Sequence, residues 1–140
     1  MTLNGTGITA AVCAFLGIWL GHRAVRKVES LSANLHLPML LFAAAGLGME
    51  ALALQAPSRA VSAGLGILGI TLLWDTLELW RQQKRVQKGH APANPNNPRH
   101  ARILAEYPAA TAVNPLRSEE ETALPHFSAQ AQGLQRRKGR

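Results

Sequence analysis

Three stretches of this 140-residue chain are apolar enough and long enough to cross a lipid bilayer as helices. The stretches are residues 5–21, 37–56 and 60–80. A helix needs roughly 20 apolar residues to span the hydrocarbon core, and the first stretch reaches that length with the uncharged residues before it. Lengths and composition therefore predict three transmembrane helices. In the short link between the second and third stretches, Pro57 and Arg59 favour a tight turn, so we expect these two helices to form a hairpin.

Beyond the third stretch the composition changes. Residues 81–88 are basic and continue a helical pattern as far as Gly89, a residue type that commonly ends helices. Three prolines within residues 91–98 predict an extended linker, because proline lacks a backbone donor and disfavours helix at the residue before it. A short helix is possible over residues 99–107, and the polar remainder to residue 140 is expected to be largely disordered.

The expected fold is therefore all-α. Residues 1–90 form a three-helix transmembrane bundle with a helical extension on the cytoplasmic side, and residues 91–140 form a linker and tail. Orientation follows from Lys and Arg, which are in excess in cytoplasmic loops. Three basic residues follow the first stretch and four follow the third, whereas the opposite side has Arg59 alone. This asymmetry predicts an amino terminus outside and a carboxyl terminus in the cytoplasm.

The end of the third stretch resembles a bacterial family of small multi-span membrane proteins of unknown function. The shared features are Leu-Trp at residues 73–74, Glu-Leu at 78–79, Lys-Arg-Val-Gln-Lys-Gly at 84–89, and Pro-Ala-Asn-Pro at 92–95. The amino-terminal Asn-Gly, His22 and Glu29 are also similar. The resemblance covers about the first 98 residues. It implies a three-span protein of the bacterial cytoplasmic membrane and brings no reaction, substrate or cofactor with it.

Glycines are numerous within the predicted spans. The candidates for helix packing are Gly17, Gly21, Gly64, Gly66 and Gly69. The last three match the Gly-x-Gly-x-x-Gly pattern of dinucleotide sites, but no strand precedes them, and we reject a cofactor there. Small residues instead let neighbouring transmembrane helices approach closely, either within one chain or across a dimer.

Ionisable groups inside spans are costly and usually face protein or water. Asp75 and Glu78 share one helix face near the inner interface, where Arg81, Arg23 or His22 can reach them. Two interpretations stay open: structural pairing, or a small polar cluster of His22, Asp75 and Glu78 that holds a proton or a cation. Glu50, in the outer half of its span, could pair with Arg59 or with a partner protein.

The remaining polar and reactive residues carry weaker signals. Arg81, Lys84, Arg85 and Lys88 anchor the third helix or contact anionic lipid or an acidic partner. We expect no nucleic-acid binding despite a net charge of +7, since the basic stretch lacks interleaved aromatic residues. The lone Cys13 is expected to be inert, and no spacing of ligands predicts a metal site. The histidines at positions 36, 90, 100 and 126 are expected on the surface.

These features favour a non-enzymatic accessory, assembly or scaffold subunit, because three short helices leave little room for a shielded pathway. Such a subunit would contact the lipid bilayer and either another membrane protein or further copies of itself. The alternative is a small transporter or ion-conducting oligomer that uses the acids within the spans. A membrane enzyme comes third, since no nucleophile and base pair stands out in the sequence.

Overall fold

The computed structural model describes residues 3–114, and every regular element in that range is an α-helix. The helices are α1 (Gly5–Leu31), α2 (His36–Leu54), α3 (Arg59–Gln87) and α4 (Pro98–Glu106). The first three are long and apolar enough to cross a membrane, as the sequence predicts. The predicted disordered tail lies outside the described residues from position 115 onward.

Two of the three long helices begin at side-chain caps. The Asn4 side chain accepts a hydrogen bond from the Gly7 amide at 3.2 Å, and the Ser58 hydroxyl accepts one from the Val61 amide at 3.3 Å. Each cap satisfies an amide that has no partner within its helix. The turn that ends at Ser58 joins α2 to α3 as the predicted hairpin.

The first helix is longer than the sequence pattern indicated. Residues 22–31, which we expected to be a charged link, continue α1 without a break. Helix α3 has 29 residues against 19 in α2, so it extends about 15 Å beyond α2 at the end away from the hairpin turn. Arg23, Arg26 and Lys27 on α1 and Arg81, Lys84 and Arg85 on α3 therefore lie on helical extensions at that end.

Helix α3 lies between the other two. It packs along α1 on one side and along α2 on the other, whereas α1 and α2 make little contact with each other. The closest approach is between α2 and α3, where a Cβ atom at Gly46 would lie 2.9 Å from the Gly69 carbonyl oxygen. The three long helices thus form an open layer with α3 in the middle rather than a closed bundle.

The chain beyond α3 folds back onto this layer. Gly89 adopts a positive φ of 72°, and the Ala93 amide then donates to the Thr111 carbonyl oxygen at 2.8 Å. A small apolar core forms there from Val86, Ala91, Ala93 and Ile103. The prediction of an extended linker over residues 91–98 was therefore wrong in part, because this segment is docked and leads directly into α4.

Candidate functional site

The three side chains of the predicted polar cluster line one cavity. His22 from α1 and Asp75 and Glu78 from α3 enclose a volume of about 230 Å³, together with Val25, Arg26, Gln82 and Arg85. The cavity lies at the end where α1 and α3 extend past α2. Coiling of α3 brings positions 75, 78, 82 and 85 onto one face, and that face is turned toward α1.

Glu78 is paired within its own helix. Its carboxylate accepts hydrogen bonds from Arg81 at 2.9 Å and from Arg85 at 3.2 Å. Arg81 also lies over an aromatic ring, 4.9 Å from the Trp74 ring centre, and Lys84 is 5.6 Å from that of Trp80. In this structure Arg81 and Arg85 of the basic stretch thus pair with Glu78.

Asp75 occupies a boundary between two environments. The side chain is buried, and its carboxylate packs against Gly21 of α1. On one side is the polar cavity, and on the other is an apolar cleft of about 220 Å³ between α1 and α2, lined by residues such as Gly17, Leu20 and Phe42. Asp75 thus lines both spaces.

Glu50 lies elsewhere, between α2 and α3. A Cβ atom at Gly69 would be 2.7 Å from its Oε1 atom, so the carboxylate lies directly over the α3 backbone near Gly66 and Gly69. Among the described residues Glu50 has neither an ion pair nor a hydrogen bond, and pairing with Arg59 does not occur. Glu50 and Asp75 therefore do not share a site.

The remaining predicted packing glycines lie at helix contacts within the chain. A Cβ atom at Gly17 would be 3.2 Å from the Thr71 Oγ1 atom, and one at Gly64 would be 3.2 Å from the Cys13 Sγ atom. Gly17 and Gly64 thus mark the contact between α1 and α3. Gly46, which the sequence analysis did not single out, has the same role between α2 and α3.

A buried ionic cluster, which the sequence analysis did not anticipate, joins α1 to α4. Glu29 Oε1 accepts hydrogen bonds from Arg99 Nη2 at 2.9 Å and from His100 Nε2 at 3.0 Å. Arg99 also donates to the Glu29 carbonyl oxygen and, through Nε, to the Ser32 carbonyl oxygen at 3.0 Å. His100 is fully buried, so the expectation of a surface histidine was wrong.

The hydrogen bonds of His100 define its tautomer. The backbone N–H of Asn94 lies 2.8 Å from Nδ1. Because a backbone N–H can only donate, Nδ1 must be the unprotonated acceptor. The proton is then on Nε2, which lies 3.0 Å from Glu29 Oε1 and 2.9 Å from Arg99 Nη2. Arg99 supplies the positive charge that balances the buried Glu29 carboxylate.

Two asparagines complete the junction by capping the carboxyl end of α1. Asn94 and Asn97 each donate a side-chain hydrogen bond to the Ser30 carbonyl oxygen, at 3.1 and 2.9 Å, and Asn97 donates a second to that of Ser32 at 3.0 Å. Carbonyl groups in the last turn of a helix have no partner within it. The proline-rich segment therefore supplies the C-terminal cap of the first membrane helix.

One sequence signal could have revealed Glu29. The buried residues of α1 are Gly17, Gly21, Val25 and Glu29. Their spacing of four places Glu29 on the inward face of the helix. Its partners could not have been inferred in this way, since they lie 70 and 71 positions later. Across residues 3–114 no three His, Cys, Asp or Glu side chains are grouped to hold a metal ion.

The three apolar helices and the polar junction at one end define a small multi-pass membrane protein. Residues 4–97 match the family described as Domain of unknown function (DUF4491), and the chain belongs to that family. No curated protein and no solved structure matches the chain. The match includes Asn94 and Asn97 and ends before Arg99 and His100. The bacterial origin implied by the resemblance stays a prediction.

Proposed function

We propose that this protein is an accessory or assembly subunit of a membrane complex, and that its open helical layer packs against a helix of a different membrane protein. The observation that carries the proposal is the apolar cleft between α1 and α2. The α1 wall of this cleft includes Ala24, a small, half-buried residue that permits close approach of another helix.

Glu50 supports the same proposal. Its carboxylate lies within a candidate span and has no hydrogen-bonding partner among the described residues. Polar groups in hydrocarbon are costly unless they are paired. A donor from a partner helix would supply that pairing in the complex.

The test is co-purification of the full-length chain after extraction in a mild detergent. We expect one membrane protein to be recovered at a fixed stoichiometry and identified by mass spectrometry. Ala24→Phe fills the cleft and should abolish recovery of that protein, whereas Ile18→Phe, on an exposed part of α1, should leave it unchanged. Recovery of the chain only as a monomer or as copies of itself would refute the accessory role.

We infer further that the end with the polar junction is cytoplasmic, in the cytoplasmic membrane of a bacterium. The antiparallel order of the helices brings the ends of α1 and α3 to the same side, and the basic residues after each span gather there. Positive charge is in excess on the cytoplasmic side of membrane proteins. Green fluorescent protein fused after residue 140 should therefore fluoresce, and an alkaline phosphatase fusion there should be inactive. The reverse pattern would overturn this orientation.

A second candidate function is supported by Asp75. Because its carboxylate borders both the apolar cleft and the polar cavity, it could pass a proton or a small cation toward the end that carries His22 and Glu78. Purified protein in vesicles would then show a proton or cation flux that Asp75→Asn abolishes without loss of helix content. A flux that survives this substitution, or no flux at all, would exclude the role for Asp75.

A further inference from the structure

A second cavity adjoins the polar one at the same end of the molecule. Its volume is about 490 Å³, which is within the range of small-molecule sites. The walls come from α1, α3 and the segment after Gly89. The main side chains of the wall are Arg26, Glu29, Gln82, Arg85 and His90. Arg26, Gln82 and Arg85 line both cavities and so form the wall that the two spaces share.

Arg26 is without a partner in the part of the chain that the structure describes. Its guanidinium group makes no ion pair and no hydrogen bond with any residue from 3 to 114. Arg85 uses two of its donors, on Glu78 and on Gln82, and keeps the others available. Two guanidinium groups thus present to the same cavity N–H donors that no residue from 3 to 114 occupies.

Gln82 provides a third and independent donor. The residue is 6 % exposed, and its Oε1 atom accepts a hydrogen bond from Arg85 Nη1 at 3.1 Å. That bond identifies Oε1 as the accepting atom of the side-chain amide, so Nε2 is the atom that remains to donate a hydrogen bond. No bond to Nε2 is formed within the described residues. On the wall of a cavity, an amide donor that has no partner among these residues can bind a ligand that accepts hydrogen bonds.

Glu29, the acidic residue in this wall, does not repel a bound anion. Glu29 is neutralised by Arg99 and accepts hydrogen bonds from Arg99 and His100, on the side of α4. Glu78 belongs to the adjoining cavity and is balanced by Arg81 and Arg85. Since Arg81 and Arg85 together exceed the single negative charge of Glu78, the net charge around the larger cavity is positive, and Arg26 adds to it.

The depth of the cavity suits a group at the membrane surface. Arg26, Gln82 and Arg85 lie two to five residues beyond the predicted span ends at positions 21 and 80, or about 3 to 8 Å along the helix axis. Basic pockets between membrane helices at this level bind phosphate-containing lipid headgroups. The guanidinium group also matches phosphate oxygens in geometry.

We propose that this cavity binds a phosphate-bearing anion through Arg26, Gln82 and Arg85. The phosphate belongs either to the headgroup of an anionic phospholipid or to a soluble molecule. The site is independent of the accessory role, because it lies at the polar end rather than in the cleft between α1 and α2.

The test uses the full-length protein purified in a neutral detergent. One arm titrates phosphatidylglycerol and follows the bound lipid by native mass spectrometry, with phosphatidylcholine as the reference of no net charge. The other arm titrates inorganic phosphate and follows the thermal unfolding temperature. Binding in the lipid arm alone identifies a headgroup site, and binding in the phosphate arm identifies a site for soluble ligands.

Arg26→Gln is the informative variant, and Arg23→Gln is its matched control. Both residues are exposed cations on α1, but Arg23 lies over the Trp19 ring at 5.3 Å and does not line the cavity. We expect Arg26→Gln to weaken binding roughly tenfold, since a hydrogen bond to a charged group is lost. Arg23→Gln should change it less than twofold.

Gln82→Leu is a second test variant, and it leaves the charge of the site unchanged. It removes the amide donor at similar volume and should also weaken binding several-fold, with helix content checked by circular dichroism. The proposal is overturned if neither phosphatidylglycerol nor phosphate binds more tightly than phosphatidylcholine. Equal losses in Arg23→Gln and Arg26→Gln would overturn it as well, because they would indicate diffuse surface charge.

Discussion

Glu29 and His100 are 71 positions apart in the sequence, and His100 Nε2 donates to Glu29 Oε1 at 3.0 Å in a fully buried contact. The bond joins the end of the first membrane helix to the short helix that follows the proline-rich segment. The chain after α3 is therefore part of the folded unit as far as α4, and its stability depends on a buried charge in α1.

Glu29→Gln should release α4. The substitution preserves the size of the side chain but leaves the Arg99 charge without its counter-ion, and breaking a buried pair in this way costs about 3 to 5 kcal/mol. Amide hydrogen exchange in residues 98–106 should accelerate at least about a hundredfold if that energy is lost locally. Arg102→Gln, on the exposed side of α4, is the control and should leave exchange unchanged. Equal protection in Glu29→Gln and the wild type would show that the cluster does not hold α4.

Asn97→Ala should loosen the same junction by a different route. The Asn97 side chain donates to the carbonyl groups of Ser30 and Ser32, and its Oδ1 atom accepts from the Arg99 amide at the start of α4. Loss of a helix cap and of buried hydrogen bonds costs about 1 to 3 kcal/mol. Limited proteolysis should then cleave within residues 90–100 several times faster. The neighbouring exposed Asn96→Ala should be cleaved at the wild-type rate, and a similar rate in both variants would contradict the capping role.

Gly46→Ala should disturb the contact between α2 and α3. Its Cβ atom would lie 2.9 Å from the Gly69 carbonyl oxygen and 2.8 Å from the Leu73 Cγ atom, so the helices would have to separate. Overpacking of this kind costs about 1 to 3 kcal/mol. Thermal unfolding in detergent should show a lower midpoint. Gly48→Ala, two residues away with nothing within 4 Å of the new Cβ atom, should keep the wild-type midpoint or raise it.

Gly89→Ala should weaken the return of the chain after α3. Gly89 has a φ of 72°, a conformation that costs L residues about 1 to 2 kcal/mol, and the Ala109 carbonyl oxygen occupies the space that a Cβ atom would need. The added strain should increase hydrogen exchange across residues 90–111 while the spans keep their protection. Lys88→Ala at the preceding exposed position is the comparison. Unchanged exchange in Gly89→Ala would mean that the turn accommodates a side chain.

Much of the local structure follows from the sequence. Apolar length predicted α2 and α3 nearly to the residue, and Gly89 correctly marked the end of the helical extension. The length of α1 was underestimated, because the charges at Arg23, Arg26 and Lys27 ended the apolar run without ending the helix. Hydropathy reports how favourably a segment lies in hydrocarbon, and a helix can continue into water after the apolar segment ends.

The sequence by itself determined that three helices cross a bilayer and that positive charge gathers at one end, since both properties depend on runs of neighbouring residues. The tertiary structure alone decided that α3 lies in the middle, that Asp75 borders two cavities, and that Glu29 meets Arg99 and His100. These contacts join residues far apart in the chain. The contact of Glu29 with Arg99 and His100 forms because the turn at Gly89 reverses the chain and because the asparagine caps fix α4 against the end of α1.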